Sequence, residues 1–228
     1  MSDKPHLVVL SGAGISAESG IRTFRDSDGL WMGYDVYEVA SPRGWKKDPA
    51  LVLDFYNARR RDIAEAQPNA AHRGIAELEE NYRVTVVTQN IDDLHERAGS
   101  SSVLHLHGEI FKMRSEKSAY PVFEIRRDIS VGDIAPDGAQ LRPHIVWFEE
   151  PVPLIEVAAD LVSAADIFVI IGTSLQVYPA AGLMNYTIPG IPRYIIDKSI
   201  PGVVGHDIIK IEAFASEGVA SLKKMLGS

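Results

Sequence analysis

The feature that most constrains the fold is an apolar run, Leu7 to Leu10, that leads directly into closely spaced glycines. Such a run is typical of a strand buried on both faces of a parallel sheet. The segment Gly12-Ala13-Gly14-Ile15-Ser16-Ala17 fits the G-x-G-x-x-G/A pattern, in which the backbone turns tightly and can approach a pyrophosphate. Unpaired N–H groups at the start of the next helix would face the phosphates. The stretch predicts a nucleotide-binding turn, and an ordinary tight turn is the alternative.

The residues after the glycines do not match a plain dinucleotide-binding dehydrogenase. That fold places an Asp or Glu at the end of a second strand, ~20 residues after the glycines, where it binds the adenosine ribose. Here residues 20–29 have the composition of a loop, and the next strand pattern begins near Val84. Long loops without secondary structure are usually functional or disordered, so we expect this segment to be a lid or to face the substrate.

The composition excludes several kinds of site. The chain has no cysteine, so it forms no disulfide, thiolate nucleophile, or cysteine-ligated zinc or iron–sulfur site. The formal charge of −8 argues against broad binding of nucleic acid or an anionic membrane. The N-terminus lacks a signal-peptide pattern, and no apolar run approaches the roughly 18 residues of a membrane span. We therefore expect a cytoplasmic enzyme that binds neither nucleic acid nor membrane, and we expect a monomer.

The alternation of strand and helix patterns predicts an α/β fold with a doubly wound, Rossmann-like parallel sheet and right-handed connections. We expect residues 1–31, 75–111 and 142–228 to form this sheet domain, and the irregular segments 32–74 and 112–141 to form a smaller inserted module beside a cleft. The predicted strands are 7–10, 82–88, 103–109, 166–171 and 193–196, and the predicted helices are 49–61, 70–81, 153–165 and 213–226.

Polar side chains follow several predicted strands, at the end where open α/β sheets bind ligands. Gln89, Asn90 and Asp92 follow one strand, although Asn90 or Asp92 could simply cap the next helix. Gly172-Thr173-Ser174 ends another strand and could bind phosphate or ribose, or could be simple turn chemistry. Asp197 ends a further strand, where a carboxylate can hold ribose hydroxyls.

Two histidines stand in the predicted strand Val103–Glu109. His105, His107 and Glu109 alternate, so we expect all three to point to one face of an extended chain. Paired imidazoles with a carboxylate suit a divalent cation. Alternatively His107, which precedes Gly108, is a general base whose pKa lies near the working pH. Both histidines could also be packed or exposed without any chemistry, and the local sequence leaves these alternatives open.

The helix predicted over residues 49–61 carries a candidate anion site. Tyr56 and Arg59 are three residues apart and share one side of the helix, so together they could receive an anion. The alternative is that Arg59 to Arg61 form only a solvated basic face, which is the usual interpretation of such a run.

Several short motifs occur together in one order along the chain, and that combination is highly specific although each motif is weak alone. The sequence resembles the sirtuins, the NAD-dependent protein deacylases, across essentially its whole length, and the resemblance weighs strongly against a metal at the two histidines. The motifs are Gly12-Ala13-Gly14-Ile15-Ser16, Gly20-Ile21 with Phe24-Arg25, Thr88-Gln89-Asn90-Ile91-Asp92, His107-Gly108, Val146-Trp147-Phe148, Gly172-Thr173-Ser174 and Ser216-Glu217-Gly218-Val219.

The resemblance implies that NAD is a co-substrate consumed by the reaction, which explains the missing dehydrogenase carboxylate. The carbonyl oxygen of an acyl-lysine would attack C1′ of the nicotinamide ribose, nicotinamide would leave, and the acyl group would pass to ADP-ribose. By this resemblance His107 deprotonates a ribose hydroxyl, and Asn90 and Asp92 engage the nicotinamide and its ribose. Gln89 would contact ribose.

The resemblance also implies the remaining contacts. Arg25 would order the phosphate side, and Phe24 would screen the reacting centre. The segment 146–149 resembles a peptide-binding strand that holds the substrate by strand addition while acyl-lysine enters a tunnel. The other expected NAD contacts are Gly12, Ala13, Gly14, Ile15, Ile91, Gly172, Thr173, Ser174, Asp197 and Val219, and the expected substrate contacts on the tunnel are Val146, Trp147, Phe148 and Val177.

The chain departs from the common sirtuin pattern in its zinc site and carries the signature of one subclass. Most sirtuins bind a structural zinc through four cysteines, but Ser115 and Ser118 stand where the first pair would be, so we expect no zinc. Ala40, Tyr56 and Arg59 match the bacterial and mitochondrial class that removes acidic acyl groups. The small Ala40 would make room, and the other two would bind a distal carboxylate.

The resemblance thus implies desuccinylation or demalonylation beside deacetylation. An NAD-dependent ADP-ribosyltransferase or an NAD glycohydrolase on the same scaffold is the alternative enzyme. A catalytically idle NAD-binding module would bind the nucleotide without turnover.

Overall fold

The computed structural model describes residues 4–22, 30–31, 33–202 and 207–227. The strands are β1 His6–Ser11, β2 Leu30–Trp31, β3 Tyr34–Asp35, β4 Arg83–Thr88, β5 Val103–His105, β6 Gly108–Ser115, β7 Val122–Glu124, β8 Leu141–Ile145, β9 Ile167–Ile171, β10 Arg193–Asp197 and β11 Ile209–Glu212. The helices are α1 Val36–Val39, α2 Pro42–Lys47, α3 Pro49–Glu65, α4 Ala70–Glu77, α5 Leu94–Arg97, α6 Ile155–Ser163 and α7 Ala215–Leu226, with 3₁₀ segments at Ala13–Ser19, Leu78–Glu80 and Ala180–Tyr186.

The central sheet has six parallel strands in the order β11-β10-β9-β1-β4-β5. Leu7 and Val9 of β1 pack in one apolar cluster with residues of α4 and α7, whereas Val8 and Leu10 pack in another with residues of α6. Both faces of β1 are therefore covered, which is why its sequence is continuously apolar. The prediction of a doubly wound, Rossmann-like parallel sheet is confirmed. Its switch point lies between β1 and β9, where the strand order reverses.

A second sheet, antiparallel in the order β7-β6-β8, packs with α1, α2 and α3 around a separate apolar cluster. The interpretation of residues 112–141 as irregular was therefore incomplete, because half of β6 and all of β7 lie in this segment. The strands are short and lie among charged residues and turns, so they leave little alternating pattern. The division of the chain into the two sets of residues named above stays a prediction.

The strand predicted over Val103–Glu109 is interrupted. β5 ends at His105 in the central sheet, and β6 begins at Gly108 in the antiparallel sheet. Gly108 has a φ of 80°, and a Cβ there would lie 2.0 Å from the carbonyl oxygen of His144. Glycine alone fits this change of direction. The expectation of one shared face for the two histidines and Glu109 was wrong, because His107 lies in the turn between two sheets.

The sequence interpretation also missed the hairpin of β2 and β3 and the edge strand β11. The hairpin of β2 and β3 precedes the strand near Val84, but two-residue strands carry no measurable periodicity. The edge strand β11 buries only Ile211, so it lacks the continuous apolar run of its neighbours. None of the helices in the described part of the chain has the length and apolar character needed to cross a membrane.

Buried polar contacts connect α3 to the antiparallel sheet and its loops. The Asn57 side chain donates to the Ile129 carbonyl at 2.9 Å and accepts from the Ile129 N–H at 3.0 Å. Arg60 donates to the Ile110 carbonyl at 2.9 Å and to the Asn57 side-chain oxygen at 2.8 Å. At one expected cysteine position, the Ser115 hydroxyl donates to Asp137 at 2.6 Å. These contacts hold the segment in which the resemblance would otherwise expect a metal.

We expect Asn57→Ala to lower the free energy of unfolding by about 3 kcal/mol, because it leaves buried backbone groups of Ile129 and one Arg60 N–H without their partner. Urea unfolding measures this, with the exposed Asn81→Ala as the matched control. The expectation of a zinc-free module adds that a chelator leaves the unfolding midpoint of the wild type unchanged. Equal stability of the two variants, or a midpoint that drops with chelator, would contradict this account.

Candidate active site

A cavity of about 530 Å³ lies between the carboxyl ends of the central strands and the segment that follows β8. Its walls come from the glycine turn after β1, the loop after β4, the turn after β9 and residues of α3. The cavity therefore opens at the switch point of the sheet, where open α/β sheets bind their ligands.

Most of the predicted site residues line this cavity. Ile15 and Val219 instead pack in the apolar core behind it, so their role as direct NAD contacts stays a prediction. Phe24 and Arg25 lie outside the described residues. The predicted residues that line the cavity are Gly12, Ala13, Gly14, Ala40, Tyr56, Arg59, Gln89, Asn90, Ile91, Asp92, His107, Val146, Trp147, Phe148, Gly172, Thr173, Ser174, Val177 and Asp197.

The glycine turn packs directly against the turn after β9. The Gly14 N–H donates to the Gly172 carbonyl at 2.8 Å, and a Cβ on Gly14 would lie 2.7 Å from the Gly172 Cα. Gly172 itself has a φ of 64°, which favours glycine. The glycines are therefore needed for contact between two protein segments as well as for approach to a phosphate. The Gln89 side-chain amide donates to the Thr173 hydroxyl at 3.2 Å, so the turn after β9 also contacts the loop after β4.

The loop after β4 is tied to the glycine turn through Ser16. The Ser16 hydroxyl donates to Asp92 at 3.1 Å and accepts from the Asn90 side-chain amide at 3.1 Å. Asp92 also accepts from the Leu94 N–H at 3.2 Å, so the capping alternative for this residue holds in part. Burial raises the pKa of Asp92, although the bonds from Leu94 and Ser16 oppose the shift. The two side chains predicted to engage NAD are thus buried and fixed.

His107 is oriented by a backbone carbonyl. Its Nδ1 lies 3.0 Å from the Gln89 carbonyl oxygen, which can only accept, so Nδ1 carries the proton. The other ring nitrogen, Nε2, is then the basic one in a neutral ring. Burial lowers the pKa of His107, and the Gln89 carbonyl offsets only part of this shift. A neutral imidazole beside the cavity has the properties of a general base.

Tyr56 and Arg59 line the cavity from one side of α3, together with Ala40. Tyr56 is 1% exposed and Arg59 is 6% exposed. Burial raises the pKa of Tyr56, so its hydroxyl stays a neutral donor at neutral pH. Burial lowers the pKa of Arg59, while Tyr56 and Asp92 oppose that shift, and a guanidinium remains protonated in proteins. The sequence alternative of a solvated basic face does not apply to Arg59.

The segment predicted to bind the substrate peptide is fixed at both ends. The Val146 N–H donates to the His107 carbonyl at 2.9 Å, and the Phe148 N–H donates to the Ala40 carbonyl at 3.0 Å. The segment therefore spans from the predicted base to the wall formed by α3. Arg142 supports it from behind, with its guanidinium 3.2 Å from the centre of the Trp147 ring.

Other residues of the cavity gave no signal in the sequence. Ser16 stood within a quoted motif, but its partners lie far away in the chain, so its bridging role was missed. Phe214, Tyr178 and Lys198 also line the cavity, and no local pattern singled them out. Within the described ranges, no three acidic or histidine side chains lie close enough together to hold a metal ion.

Comparison with known proteins identifies the family. The family model of the Sir2 family matches residues 12–179. The chain belongs to the Sir2 family. An NAD-dependent protein deacylase of Helicobacter pylori is 60% identical over 192 residues, which is 84% of each chain. One of Bacteroides thetaiotaomicron is 54% identical over an alignment of 228 positions that covers 97% of each chain.

Solved Sir2 structures share the architecture of this Sir2 family member. A Sir2 homologue in complex with NAD superposes with a TM-score of 0.86 at 37% identity, covering 98% of this chain and 91% of that one. A Sir2 protein bound to acetylated peptide superposes with a TM-score of 0.83 at 28% identity, covering 99% of this chain and 94% of that one.

The buried histidines around the site predict loss of stability in mild acid. Burial, with a smaller effect of Arg73, lowers the pKa of His72 from 6.5 to about 4. Burial also lowers the pKa of His95 well below 6.5. Between pH 6.5 and pH 4 the unfolded chain therefore binds protons that the native chain excludes. The free energy of unfolding falls as the pH is lowered through this interval.

We expect His72 alone to remove about 3 kcal/mol over that interval. Urea unfolding at a series of pH values measures the slope, and His72→Gln should flatten it. A wild type equally stable at pH 6.5 and near pH 4, or a variant with the same slope, would contradict the assignment.

Proposed function

We propose that this chain is an NAD-dependent protein-lysine deacylase that transfers the acyl group to ADP-ribose and releases nicotinamide. The observation that carries the proposal is that His107, Asn90 and Asp92 share one cavity with the glycine turn at the switch point of the sheet. The names of the Helicobacter and Bacteroides relatives agree with it. The Sir2 complexes with NAD and with acetylated peptide support the two substrates.

The residues present fit NAD. The turn of Gly12 to Gly14 brings backbone to the cavity wall with no side chain at either glycine, so a pyrophosphate can approach it closely. Asp197 ends β10 on the same side and suits ribose hydroxyls. NAD supplies an electrophilic ribose carbon and a leaving group. The side chains of Asn90 and Asp92 orient the nicotinamide end.

His107 acts as the general base in this proposal. Its Nδ1 proton is held by the Gln89 carbonyl, so Nε2 accepts a proton from a ribose hydroxyl. The hydroxyl oxygen then attacks the acyl carbon, whose own oxygen is already bonded to C1′ of the ribose. The walls around residues 146–148 place the acyl-lysine and keep water away from C1′ until the acyl oxygen has attacked it. The ribose oxygen then displaces the lysine amine from the acyl carbon, and one water adds to that carbon to give the acyl ester of ADP-ribose. The peptide lies along this segment and donates to its backbone carbonyls, because the Val146, Trp147 and Phe148 N–H groups already donate to His107, Glu150 and Ala40.

We also propose that the enzyme removes acidic acyl groups, such as succinyl and malonyl, beside acetyl. Ala40 leaves space in the wall, and the Tyr56 hydroxyl with the Arg59 guanidinium supplies a neutral donor and a cation for a distal carboxylate. The burial of both side chains strengthens such contacts, because solvent screens them little. A zinc-free module and a cytoplasmic location stay predictions.

An acyl-peptide panel with NAD tests this function. We expect Arg59→Met to lower kcat/KM for a succinyl-lysine peptide by about 10- to 100-fold, because a charge-assisted hydrogen bond is lost. The acetyl-lysine value should change by less than about threefold, since that substrate has no distal charge.

Arg61→Met is the matched control, because Arg61 is exposed on the same helix and pairs with Asp128. Parallel losses on both substrates would remove the acyl-selective role of Arg59. A wild type that turns over neither peptide would remove the deacylase function itself.

A further inference from the structure

Three consecutive carbonyl groups of the loop after β4 are held by the segment around the predicted base. Asn90 lies within this stretch and Asp92 follows it directly, so the direction of both side chains depends on these bonds. The pairs are His107 Nδ1 with Gln89 O at 3.0 Å, His105 Nδ1 with Asn90 O at 3.0 Å, and Ile110 N with Ile91 O at 2.8 Å.

His105 is itself held by an acidic partner. Its Nε2 lies 2.7 Å from a carboxylate oxygen of Glu96 on α5, and the His105 side chain is buried. Both ring nitrogens therefore face groups that accept hydrogen bonds. A neutral imidazole has a single N–H, so only the protonated ring donates to both.

The charged surroundings of His105 favour this protonated form. Burial lowers the pKa of His105, but the hydrogen bond and charge of Glu96, the Asn90 carbonyl and Glu109 together raise it above 6.5. The Asp92 side chain, whose pKa is raised by burial, also faces the ring, as does His95, whose pKa burial lowers strongly. Burial raises the pKa of Glu96, but His105 outweighs burial and lowers it overall.

His105 does not line the cavity among the residues that the structure describes, so it acts through Asn90 rather than on the substrate. We propose that the Glu96–His105 ion pair is a positioning device that fixes the Asn90 carbonyl and thereby aims the nicotinamide-binding loop. This inference rests on the proposed function. It adds to the reaction a required hydrogen bond at the Asn90 carbonyl, which the protonated His105 ring makes in this chain and which the sequence motifs do not contain.

The direction of the pH effect follows from the pair. The contribution of His105 is complete below pH 6.5 and is lost as the pH rises through the raised pKa of the native state. His107 has the opposite requirement, because it works as a neutral base and its pKa is lowered. The acid side of the kcat profile therefore belongs to His107, and the alkaline side belongs to His105.

The test compares wild type with Glu96→Gln over about pH 6 to about 9.5. In the variant, the side-chain amide that replaces the Glu96 carboxylate donates to Nε2 of a neutral His105. The ring then keeps its proton on Nδ1 and still donates it to the Asn90 carbonyl. We expect kcat of the wild type to fall about three- to tenfold on the alkaline side, since the pair is partly exposed. The variant should lack this fall.

Two further measurements separate the outcomes. NMR titration of the His105 ring should show a lower pKa in Glu96→Gln than in wild type, and His105→Ala should lower kcat with little change in KM for NAD. Glu77→Gln is the control. It removes an ion pair between Glu77 of α4 and Lys223 of α7 and should keep the wild-type profile.

Identical alkaline profiles of wild type and Glu96→Gln, with an unchanged His105 titration, would overturn the proposal. Absence of deacylation by wild type at neutral pH would instead overturn the proposed function, and the NMR titration would still report on the ion pair.

Discussion

The architecture of the site depends on the backbone contact between the turns after β1 and β9. The Gly14 N–H bonds the Gly172 carbonyl at 2.8 Å, and a Cβ on Gly12 or Gly14 would lie within 2.8 Å of that turn. The contact joins the turns that follow the two strands of the switch point, β1 and β9. It leaves the start of the 3₁₀ segment directed at the cavity, beside Thr173 and the loop after β4. A side chain at either glycine would push the two strand ends apart and widen the nucleotide site.

Above this contact, buried polar groups convert the fold into a fixed constellation. Ser16 bridges the glycine turn to Asn90 and Asp92, so one hydroxyl connects the turn after β1 to the loop after β4. His105 and His107 hold the same loop from the other side through its carbonyls. Every member of such a network must be satisfied, because an unpaired buried polar group is costly. The site is therefore rigid where geometry matters for acyl transfer.

The sequence predicted those features whose chemistry is local. The apolar run of β1, the glycines after it and the polar residues at the end of β4 all have neighbours in the chain that reveal their role. The prediction of one continuous strand over Val103–Glu109 was wrong, because the alternation of residue types cannot show that Gly108 takes a positive φ and redirects the chain. The role of Glu96 was invisible for another reason, since its partner lies on a different element.

In the proposed reaction NAD is broken while the acyl group moves to ADP-ribose. Mass spectrometry of a reaction with NAD and an acyl-lysine peptide tests it most directly. We expect equal amounts of nicotinamide, deacylated peptide and O-acyl-ADP-ribose from the wild type, and none of these products from His107→Ala. ADP-ribosylated protein, or nicotinamide released without deacylated peptide, would contradict it in favour of the transferase or the glycohydrolase.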